Sequence, residues 1–552
     1  MLEAPRRPGA DALQLDRYNH DYMRAMFAPG MILACTEGDN HWVTPYGYSN
    51  VESRQPVTPD QPFWIGSIGK SFVGLIAMQL RDEGKLDLHR PIFEILPALP
   101  LRNDFGPISA HHLLTHTSGL PNWLQLISSD PAQQAAQAYA PGVHFAYCNL
   151  GFDTLGMLLA HLDGRPWPEV VRERIFIPLG MTGASGKIDA VAQARMPTGY
   201  CYLYHDRPSA VSYEMVPVGH VMMTDAAGSI AATGEDMAKY MQMLASGGIG
   251  PKGRLVSAES FTLFSTPYIK APVLSTSSSY GYGIGVDTID GHKMLRHTGG
   301  ATAFASSILV DLDAGVGAFA SINSMQGYRP NPVTLFAVRA MVARKAKAPL
   351  ASLPPIEDPL DTKNAAQFAG KYTAPQGETL TVTATGDRLT ITSRRGSCPL
   401  YSVGADTFTA ADGSVLGEQN AKRTPSEFAL LFGREERSGT ESPPGLVNQL
   451  SIGPRWYAGE RYNGPKTVPS AESDARFVGS YHNDSPWYQT LRIVQRGGKL
   501  WLNGTEELHP AGQDSFSVKG GEGDLQLQFF LFFDSRAHLV RMDGESFRRV
   551  EL

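Results

Sequence analysis

The sequence lacks the features that mark several large classes of protein. Its 552 residues include only four cysteines, which are too scattered for a disulfide framework or a zinc-binding pattern. The net charge of -6 comes without any run of basic residues, which argues against nucleic acid as the main partner. No apolar stretch approaches the length of a membrane span. What remains is the composition expected of a soluble enzyme, with 42% hydrophobic and 18% charged residues.

The first nine residues also lack the apolar core of a secretory signal. We therefore expect a cytoplasmic protein, although removal of a signal peptide from a periplasmic or secreted protein would leave the same sequence. The chain is too long for one domain, and its length suggests about three.

Among the features that are present, the sequence Ser-Ile-Gly-Lys at positions 67–70 is the most informative. It opens the apolar segment 69–80, which predicts a buried helix that ends near Gly84 in a left-handed cap. The i, i+3 spacing places the Ser67 hydroxyl beside the Lys70 amine on the first helical turn. A hydroxyl next to an amine base, near the positive end of a helix dipole, suits nucleophilic catalysis.

A serine and a lysine at this spacing are a weak signal alone, but three further segments accompany them. Tyr147, Cys148 and Asn149 precede an apolar helix, and a loop at that place can direct a phenol and an amide into a cleft. The sequence His-Thr-Gly-Gly at 297–300 follows a strand-like stretch, and its glycines would let a substrate backbone approach closely. The third segment is a turn signal at 113–120.

Together these motifs resemble the serine β-lactamase and penicillin-binding-protein superfamily. The likeness is to the class C-like branch of this superfamily, peptidase family S12, which contains D-aminopeptidases, D,D-peptidases and related esterases. It covers roughly residues 1–345 and also includes the segments 228–237, 280–285 and 175–181. It implies an α/β (α+β) β-lactamase/transpeptidase-like catalytic domain, with a central antiparallel sheet flanked by helices.

The resemblance also implies a role for each matching side chain. Ser67 would be the acylated nucleophile, Lys70 its proton partner, Tyr147 the second general base, and Asn149 a donor to the substrate amide. His297 stands where β-lactamases and many transpeptidases have a lysine that holds a substrate carboxylate. Because histidine can be neutral near pH 7, this departure relaxes the need for an anionic substrate and disfavours a dedicated β-lactamase.

The oxyanion of the tetrahedral intermediate would lie between the backbone amides of Ser67 and Gly300, with Gly299 and Gly300 as substrate-binding positions. We expect no cofactor and no metal. His111, His112 and His116 lack an acid or cysteine that would complete a known ligand spacing, so we interpret them as structural. Cys148 is interpreted as a small buried side chain, not as a rival nucleophile.

Beyond residue 345 the pattern changes to short alternating runs, and the tail is predicted to be mostly β. The stretch from Phe368 to Tyr372 is repeated from Phe477 to Tyr481, which suggests two related antiparallel barrels of a lipocalin-like kind. The predicted domains are 1–345, 364–464 and 475–552, joined by linkers at 346–363 and 465–474.

This arrangement resembles three-domain D-aminopeptidases. We therefore predict a serine hydrolase that cleaves amide or peptide bonds next to D-amino acids through an acyl-enzyme. A carboxylesterase, a peptide-cyclising acyl transferase and a non-enzymatic peptide or lipid binder stay open as alternatives, as does a homodimer. The glycine-rich segment 514–524 would either restrict the cleft or form a plain hairpin, and the apolar run 529–533 would either line a pocket or form a core strand.

Overall fold

The computed structural model describes residues 10–120, 122, 135–203, 207–208, 215–219, 222–272, 277–325, 329–350, 352–356, 361–418, 424–435, 445–466, 472–483, 490–518, 525–542 and 545–550. The chain divides into two compact units. The first comprises Met1–Cys201 and Val216–Ile356, and the second comprises Tyr202–Met215 and Glu357–Leu552.

Helices in the described residues lie in the first unit, apart from short 3-10 turns. They are α1 (Ala10–Ala25), α2 (Gly69–Asp82), α3 (Ala110–Leu114), α4 (Asn149–Asp163), α5 (Trp167–Val171), α6 (Ile177–Leu179), α7 (Ala190–Gln193), α8 (Gly234–Ala245), α9 (Ala258–Phe264) and α10 (Asn331–Ala346). Among the helices that the structure describes, none combines the length and the apolar character needed to cross a membrane.

The first unit is built on a nine-stranded antiparallel sheet of order β12-β13-β14-β15-β16-β17-β1-β2-β3. Its strands are β1 (Gly30–Glu37), β2 (Asn40–Asn50), β3 (Gln55–Pro56), β12 (Ile269–Lys270), β13 (Ser279–Tyr280), β14 (Gly285–Ile289), β15 (His292–Ala301), β16 (Phe304–Asp311) and β17 (Val316–Ile322). Short strands outside this sheet are β4 (Phe63–Trp64), β5 (Leu101–Arg102), β6 (Ala135–Ala136), β7 (Tyr200–Tyr202), β8 (Met215–Pro217), β9 (Ala231–Ala232), β10 (Ile249–Gly250), β11 (Gly253–Arg254) and β18 (Ser324–Met325).

Both faces of the sheet are buried, because alternate residues of its strands enter two different cores. In β1, Ile32 and Ala34 belong to the core that contains α2, α4 and α8. Leu33 and Cys35 belong to the opposite core, with side chains of α1 and α10. The predicted antiparallel sheet flanked by helices is therefore confirmed.

Helix α2 runs through the first of these cores and is buried on nearly every side. It ends as predicted, with Gly84 at a φ of +70°. Two glycines allow its close approach to neighbouring backbone. A Cβ on Gly74 would lie 2.0 Å from the Tyr282 carbonyl oxygen, and a Cβ on Gly283 would lie 2.3 Å from that of Lys70. The start differs slightly from the prediction, since Ser67 lies in a 3-10 turn, Gly66–Ile68, directly before α2.

The second unit contains two closed eight-stranded antiparallel barrels, as the sequence predicted. The first consists of β19 (Gly370–Thr373), β20 (Thr379–Thr385), β21 (Arg388–Ser393), β22 (Gly396–Gly404), β23 (Thr407–Ala410), β24 (Leu430–Arg434), β25 (Val447–Ile452) and β26 (Arg455–Gly459). The second consists of β27 (Gly479–His482), β28 (Thr490–Arg496), β29 (Lys499–Leu502), β30 (Glu506–Gly512), β31 (Ser515–Val518), β32 (Leu525–Phe533), β33 (Arg536–Met542) and β34 (Glu545–Val550).

The sequence repeat is also a repeat of structure. The Tyr372 hydroxyl donates to the Phe368 carbonyl oxygen at 2.8 Å, and the Tyr481 hydroxyl donates to that of Phe477 at 2.7 Å. Each tyrosine thus ties the first strand of its barrel to the chain before it, at the last residue of a 3-10 turn in the first barrel and directly after such a turn in the second.

The predicted apolar run 529–533 lies in β32. Phe529 packs in the barrel core, 4.7 Å from the ring of Phe477, whereas Phe533 is 58% exposed. In the glycine-rich segment, Asp514 pairs with Arg476 at 2.6 Å. Residues 519–524 of that segment lie outside the described residues, as do parts of both predicted linkers.

Candidate active site

The structure places Ser67 and Lys70 in direct contact at the start of α2. The Lys70 Nζ lies 3.0 Å from the Ser67 Oγ, as the i, i+3 spacing predicted. Ser67 is half-buried and Lys70 has no exposed surface. A half-buried hydroxyl is thereby joined to an amine held inside the protein.

Lys70 has two further partners, and both are oxygen atoms that can only accept. The Asn149 Oδ1 lies 2.6 Å from Nζ, and the Ala227 carbonyl oxygen lies 2.9 Å from it. The orientation of the Asn149 amide is set by Asn122, whose Oδ1 accepts from the Asn149 backbone N–H at 2.8 Å and from its Nδ2 at 3.1 Å.

This arrangement decides where a neutral Lys70 presents its lone pair. A neutral amine has two N–H groups, and the oxygens of Asn149 and Ala227 take both of them. The lone pair then faces Ser67, where it can accept the hydroxyl proton. Asn122 and Ala227 were not identified from the sequence. A backbone carbonyl has no sequence signature, and Asn122 lies 27 positions before its partner.

Tyr147 lies beside this group, in the segment before α4, as predicted. Its ring centre is 4.9 Å from the Lys70 Nζ. Within the described residues, the Tyr147 hydroxyl makes no hydrogen bond to Ser67 or Lys70, so Lys70 is the side chain that contacts the Ser67 hydroxyl directly. The predicted role of Tyr147 as a second base stays a prediction.

His116 packs against the ring of Tyr147. From the sequence alone we interpreted His116 only as a structural residue. The two ring centres are 4.3 Å apart, and the His116 Nδ1 accepts from the Cys148 backbone N–H at 2.9 Å. Its φ of +56° lies in the left-handed region, which turns the chain toward the motif at 147–149. Burial, and then the charge of Lys70, hold the pKa of His116 well below its usual range.

His297 lies in β15, 5% exposed, with both ring nitrogens engaged inside the protein. Its Nδ1 lies 2.6 Å from the Thr298 carbonyl oxygen and its Nε2 lies 2.9 Å from the Tyr280 hydroxyl. A carbonyl oxygen only accepts, so we assign the proton to Nδ1, and Nε2 then accepts from Tyr280. Burial, followed by the charge of Lys70, lowers the pKa of His297 to about 3. At neutral pH this position of the third motif therefore carries no charge.

Two glycines allow the segments that carry the predicted oxyanion-hole amides to approach each other closely. Gly66 has a φ of +55°, and a Cβ there would lie 2.6 Å from the Gly300 carbonyl oxygen. A Cβ on Gly299 would lie only 1.8 Å from the carbonyl oxygen of Ile65. The chain before Ser67 and strand β15 thus approach each other in a way that only glycine permits.

Arg329 brings a cation to the same place, and no sequence motif pointed to it. A Cβ on Gly300 would lie 2.3 Å from one terminal nitrogen of the Arg329 guanidinium, so the guanidinium lies over the face of β15 that Gly300 leaves open. The charge of Arg329 interacts with Tyr147, and burial lowers the pKa of the Arg329 guanidinium. An arginine at this position can bind an anionic group of a substrate.

A cavity of about 170 Å³ adjoins the turn between β15 and β16. The described residues that line it include the aromatic rings of Trp64 and Phe304, together with Thr302, and none of its described lining residues is charged. The cavity suits an uncharged group. In the described part of the chain, no three histidine, cysteine or acidic side chains cluster as they would around a metal ion.

Known proteins resemble this chain in sequence and in fold. Residues 15–341 match the family model named Beta-lactamase. Penicillin-binding protein 4 of Amycolatopsis lactamdurans is 26% identical over 307 residues, which are 52% of this chain and 79% of that protein. An unguisins hydrolase of Aspergillus campestris is 26% identical over 305 residues, which are 51% of this chain and 55% of the hydrolase.

Among solved structures, the octameric penicillin-binding protein homologue from Pyrococcus abyssi superposes with a TM-score of 0.56 at 23% identity. The match covers 82% of this chain and 99% of that one. The β-lactamase/D-alanine carboxypeptidase from Pseudomonas syringae superposes with a TM-score of 0.51 at 20% identity, over 60% of this chain and 99% of that one. At these identities the likeness shows a shared fold.

Proposed function

Because this chain belongs to the Beta-lactamase family, a family of serine hydrolases, we propose that it is a serine hydrolase that cleaves amide or peptide bonds next to D-amino acids. The observation that carries the proposal is the set of contacts around Lys70. Its Nζ meets the Ser67 Oγ while carbonyl oxygens occupy the two other directions.

The reaction would proceed through an acyl-enzyme. The Ser67 Oγ attacks the substrate carbonyl carbon as Lys70 takes its proton, and the oxyanion forms between the backbone amides of Ser67 and Gly300. The leaving amine collects the proton held by Lys70, with Tyr147 as the relay, and water then hydrolyses the ester, which restores the Ser67 O–H bond. An amine acceptor in place of water would give acyl transfer, which product analysis distinguishes.

The substrate class is supported by the chain's architecture. The catalytic fold is followed by two barrels, which resembles three-domain D-aminopeptidases. The relative that is named an unguisins hydrolase supports hydrolysis as the reaction.

A carboxylesterase is the second candidate, and the state of His297 favours it. With its pKa lowered to about 3, His297 gives the third motif no charge for a substrate carboxylate. A short neutral acyl ester needs no such charge.

The test is the hydrolysis of matched D- and L-alanine p-nitroanilides and a short p-nitrophenyl ester, with Ser67→Ala as the blank. We expect turnover of the D-anilide that exceeds that of the L-anilide and disappears in the variant. Ester turnover without anilide turnover, equally dependent on Ser67, would favour the esterase. Activity that survives in Ser67→Ala would contradict both candidates.

A further inference from the structure

Two carboxyl groups lie next to Lys70, and the reaction described above does not use them. Asp153 is in α4, one turn after Asn149, and Asp225 lies in the turn before β9. Both residues are half-buried. Burial raises the pKa of Asp153 to about 7, and the charge of Asp225 adds to this effect. Burial also raises the pKa of Asp225.

Both carboxyls hold the turn that contacts Lys70. The Asp153 Oδ1 accepts from the Ala227 backbone N–H at 2.9 Å, and the Asp225 Oδ1 accepts from that of Gly228 at 2.8 Å. The carbonyl oxygen of Ala227 is the one that accepts from the Lys70 Nζ. One residue therefore links the Asp153 carboxyl to the catalytic amine through its two backbone polar groups.

The same carboxyls lie near enough to Lys70 for their charges to interact. When Lys70 takes the Ser67 proton, an O–H bond breaks, an N–H bond forms and the amine becomes an ammonium. A negative charge behind the amine stabilises that ammonium, whereas an unsupported buried cation would be costly.

We propose that Asp153 and Asp225 act as a positioning pair for Lys70. They fix the Ala227 carbonyl oxygen that orients the amine, and they supply negative charge that stabilises the ammonium formed during attack. The inference rests on the proposed function in one respect, that Lys70 is the base for Ser67. Asp153 and Asp225 touch neither Ser67 nor a substrate in this account, so they are positioning residues.

Other titratable groups near the pair and Lys70 stay neutral in the relevant range. Cys148, which faces Asp153 and Lys70 from the segment before α4, has its pKa raised to about 12 by burial. His116 and His297 interact with Lys70 from the turn after α3 and from β15, and burial lowers the pKa of each. Tyr147 also faces Lys70, with its ring centre 4.9 Å from Nζ. Among the carboxyl, thiol and imidazole groups around Lys70, Asp153, with its pKa raised to about 7, is the one whose charge changes near neutral pH.

The experiment measures the rate at which a fluorophosphonate probe labels Ser67, as a function of pH, in the full-length protein. This readout needs no knowledge of the substrate. If the wild type is not labelled at all, the proposed function fails. If it is labelled, the variants test the pair separately.

Asp153→Asn keeps an oxygen acceptor for the Ala227 N–H and removes only the charge. We expect the acid limb of its pH profile to move to lower pH by about half a unit or more, because the ammonium of Lys70 is less stabilised. Because Lys70 would then be a weaker base, the labelling rate on the alkaline plateau of the pH profile should also fall by about threefold. Asp153→Ala removes the acceptor as well, and a further loss of about tenfold is expected as the turn loosens.

Asp39→Asn is the matched control, since it removes one exposed carboxylate from the turn between β1 and β2 and should leave the profile unchanged. If Asp153→Ala does not fold, Asp225→Asn takes its place, with the same displaced limb expected. A profile of Asp153→Asn that superimposes on the wild type would overturn the proposal. A uniform loss of rate with an unmoved limb would also overturn it, because a merely structural residue would produce that result.

Discussion

The first unit and the barrel unit both bury polar groups, but they arrange them differently. In the first unit, polar groups from three separate elements converge on the Lys70 amine: Ser67 beside α2, Asn149 in α4 and Ala227 before β9. In the barrels, Tyr372 and Tyr481 make the same hydrogen bond in each copy. Convergence on one atom indicates chemistry, whereas repetition in two copies indicates a structural requirement of the barrel.

Glycine permits close backbone contacts in both units, since a Cβ on Gly445, next to β25, would lie 2.1 Å from the Glu435 carbonyl oxygen. What distinguishes the first unit is that such contacts adjoin Ser67. In the first unit Gly66 and Gly299 permit backbone contacts that any Cβ would prevent. In the second barrel, a Cβ on Gly512 would meet nothing closer than the Ser515 Oγ at 3.7 Å. Substitution of a glycine beside Ser67 should therefore lower activity. Substitution of Gly512 should change at most the stability of the barrel.

The largest effect is expected from Lys70→Ala, which removes the amine that contacts Ser67. We predict a loss of about a thousandfold in kcat/KM, within the range for a lost general base. Lys85→Ala is the control, because the Lys85 ammonium is half-exposed and pairs with Glu83 at the surface. An active Lys70→Ala enzyme would show that another group takes the Ser67 proton.

Gly299→Ala comes next. Its Cβ would overlap the Ile65 carbonyl oxygen, so strand β15 must move away from the chain before Ser67. A displacement of this size at a reaction centre costs about a hundredfold in kcat/KM. Gly512→Ala in the barrel should leave kcat/KM unchanged, and equal effects of the two substitutions would show that the approach of Gly299 to Ile65 does not matter for activity.

Arg329→Gln should act on selectivity. We expect KM for substrates with a free carboxylate to rise about tenfold relative to neutral analogues, the size of a lost charge-assisted hydrogen bond. Arg339→Gln removes a guanidinium that pairs with Asp290, and it should change neither KM. An unchanged ratio in Arg329→Gln would mean that its cation does not contact the substrate.

His297 links the site to the pH dependence of stability. Its pKa is lowered to about 3 in the folded protein, so between pH 6.5 and 3 the unfolded chain binds more protons. Its contribution to stability is complete above pH 6.5 and is lost as pH falls, by up to about 1.4 kcal/mol per pH unit. Urea denaturation at several pH values should show a shallower decline in His297→Gln. An identical decline in both proteins would contradict the assigned neutral state.

The smallest effect is expected in the barrels. Tyr372→Phe removes a buried hydrogen bond and should lower the free energy of unfolding by about 1 kcal/mol. Tyr481→Phe should cost somewhat more, because the Tyr481 hydroxyl also accepts from Arg549 at 2.8 Å. Neither change should alter kcat/KM, and a loss of activity in Tyr372→Phe would show that the barrels do more than fold.

The sequence predicted the parts of this molecule that local patterns control. Spacing alone placed Ser67 beside Lys70, and alternation with the repeated Phe-to-Tyr stretch predicted two barrels. It misplaced the start of α2, because the left-handed Gly66 imposes a 3-10 turn before the helix. It also missed Arg329 and Asn122, since their importance comes from contacts between segments far apart in the chain.

Acylation of Ser67 can be tested directly by mass spectrometry of the protein quenched during reaction with a short p-nitrophenyl ester. We expect one acyl group, located on the peptide that contains Ser67 and absent from Ser67→Ala. An acyl group on the Cys148 peptide, or undiminished acylation of Ser67→Ala, would contradict this expectation.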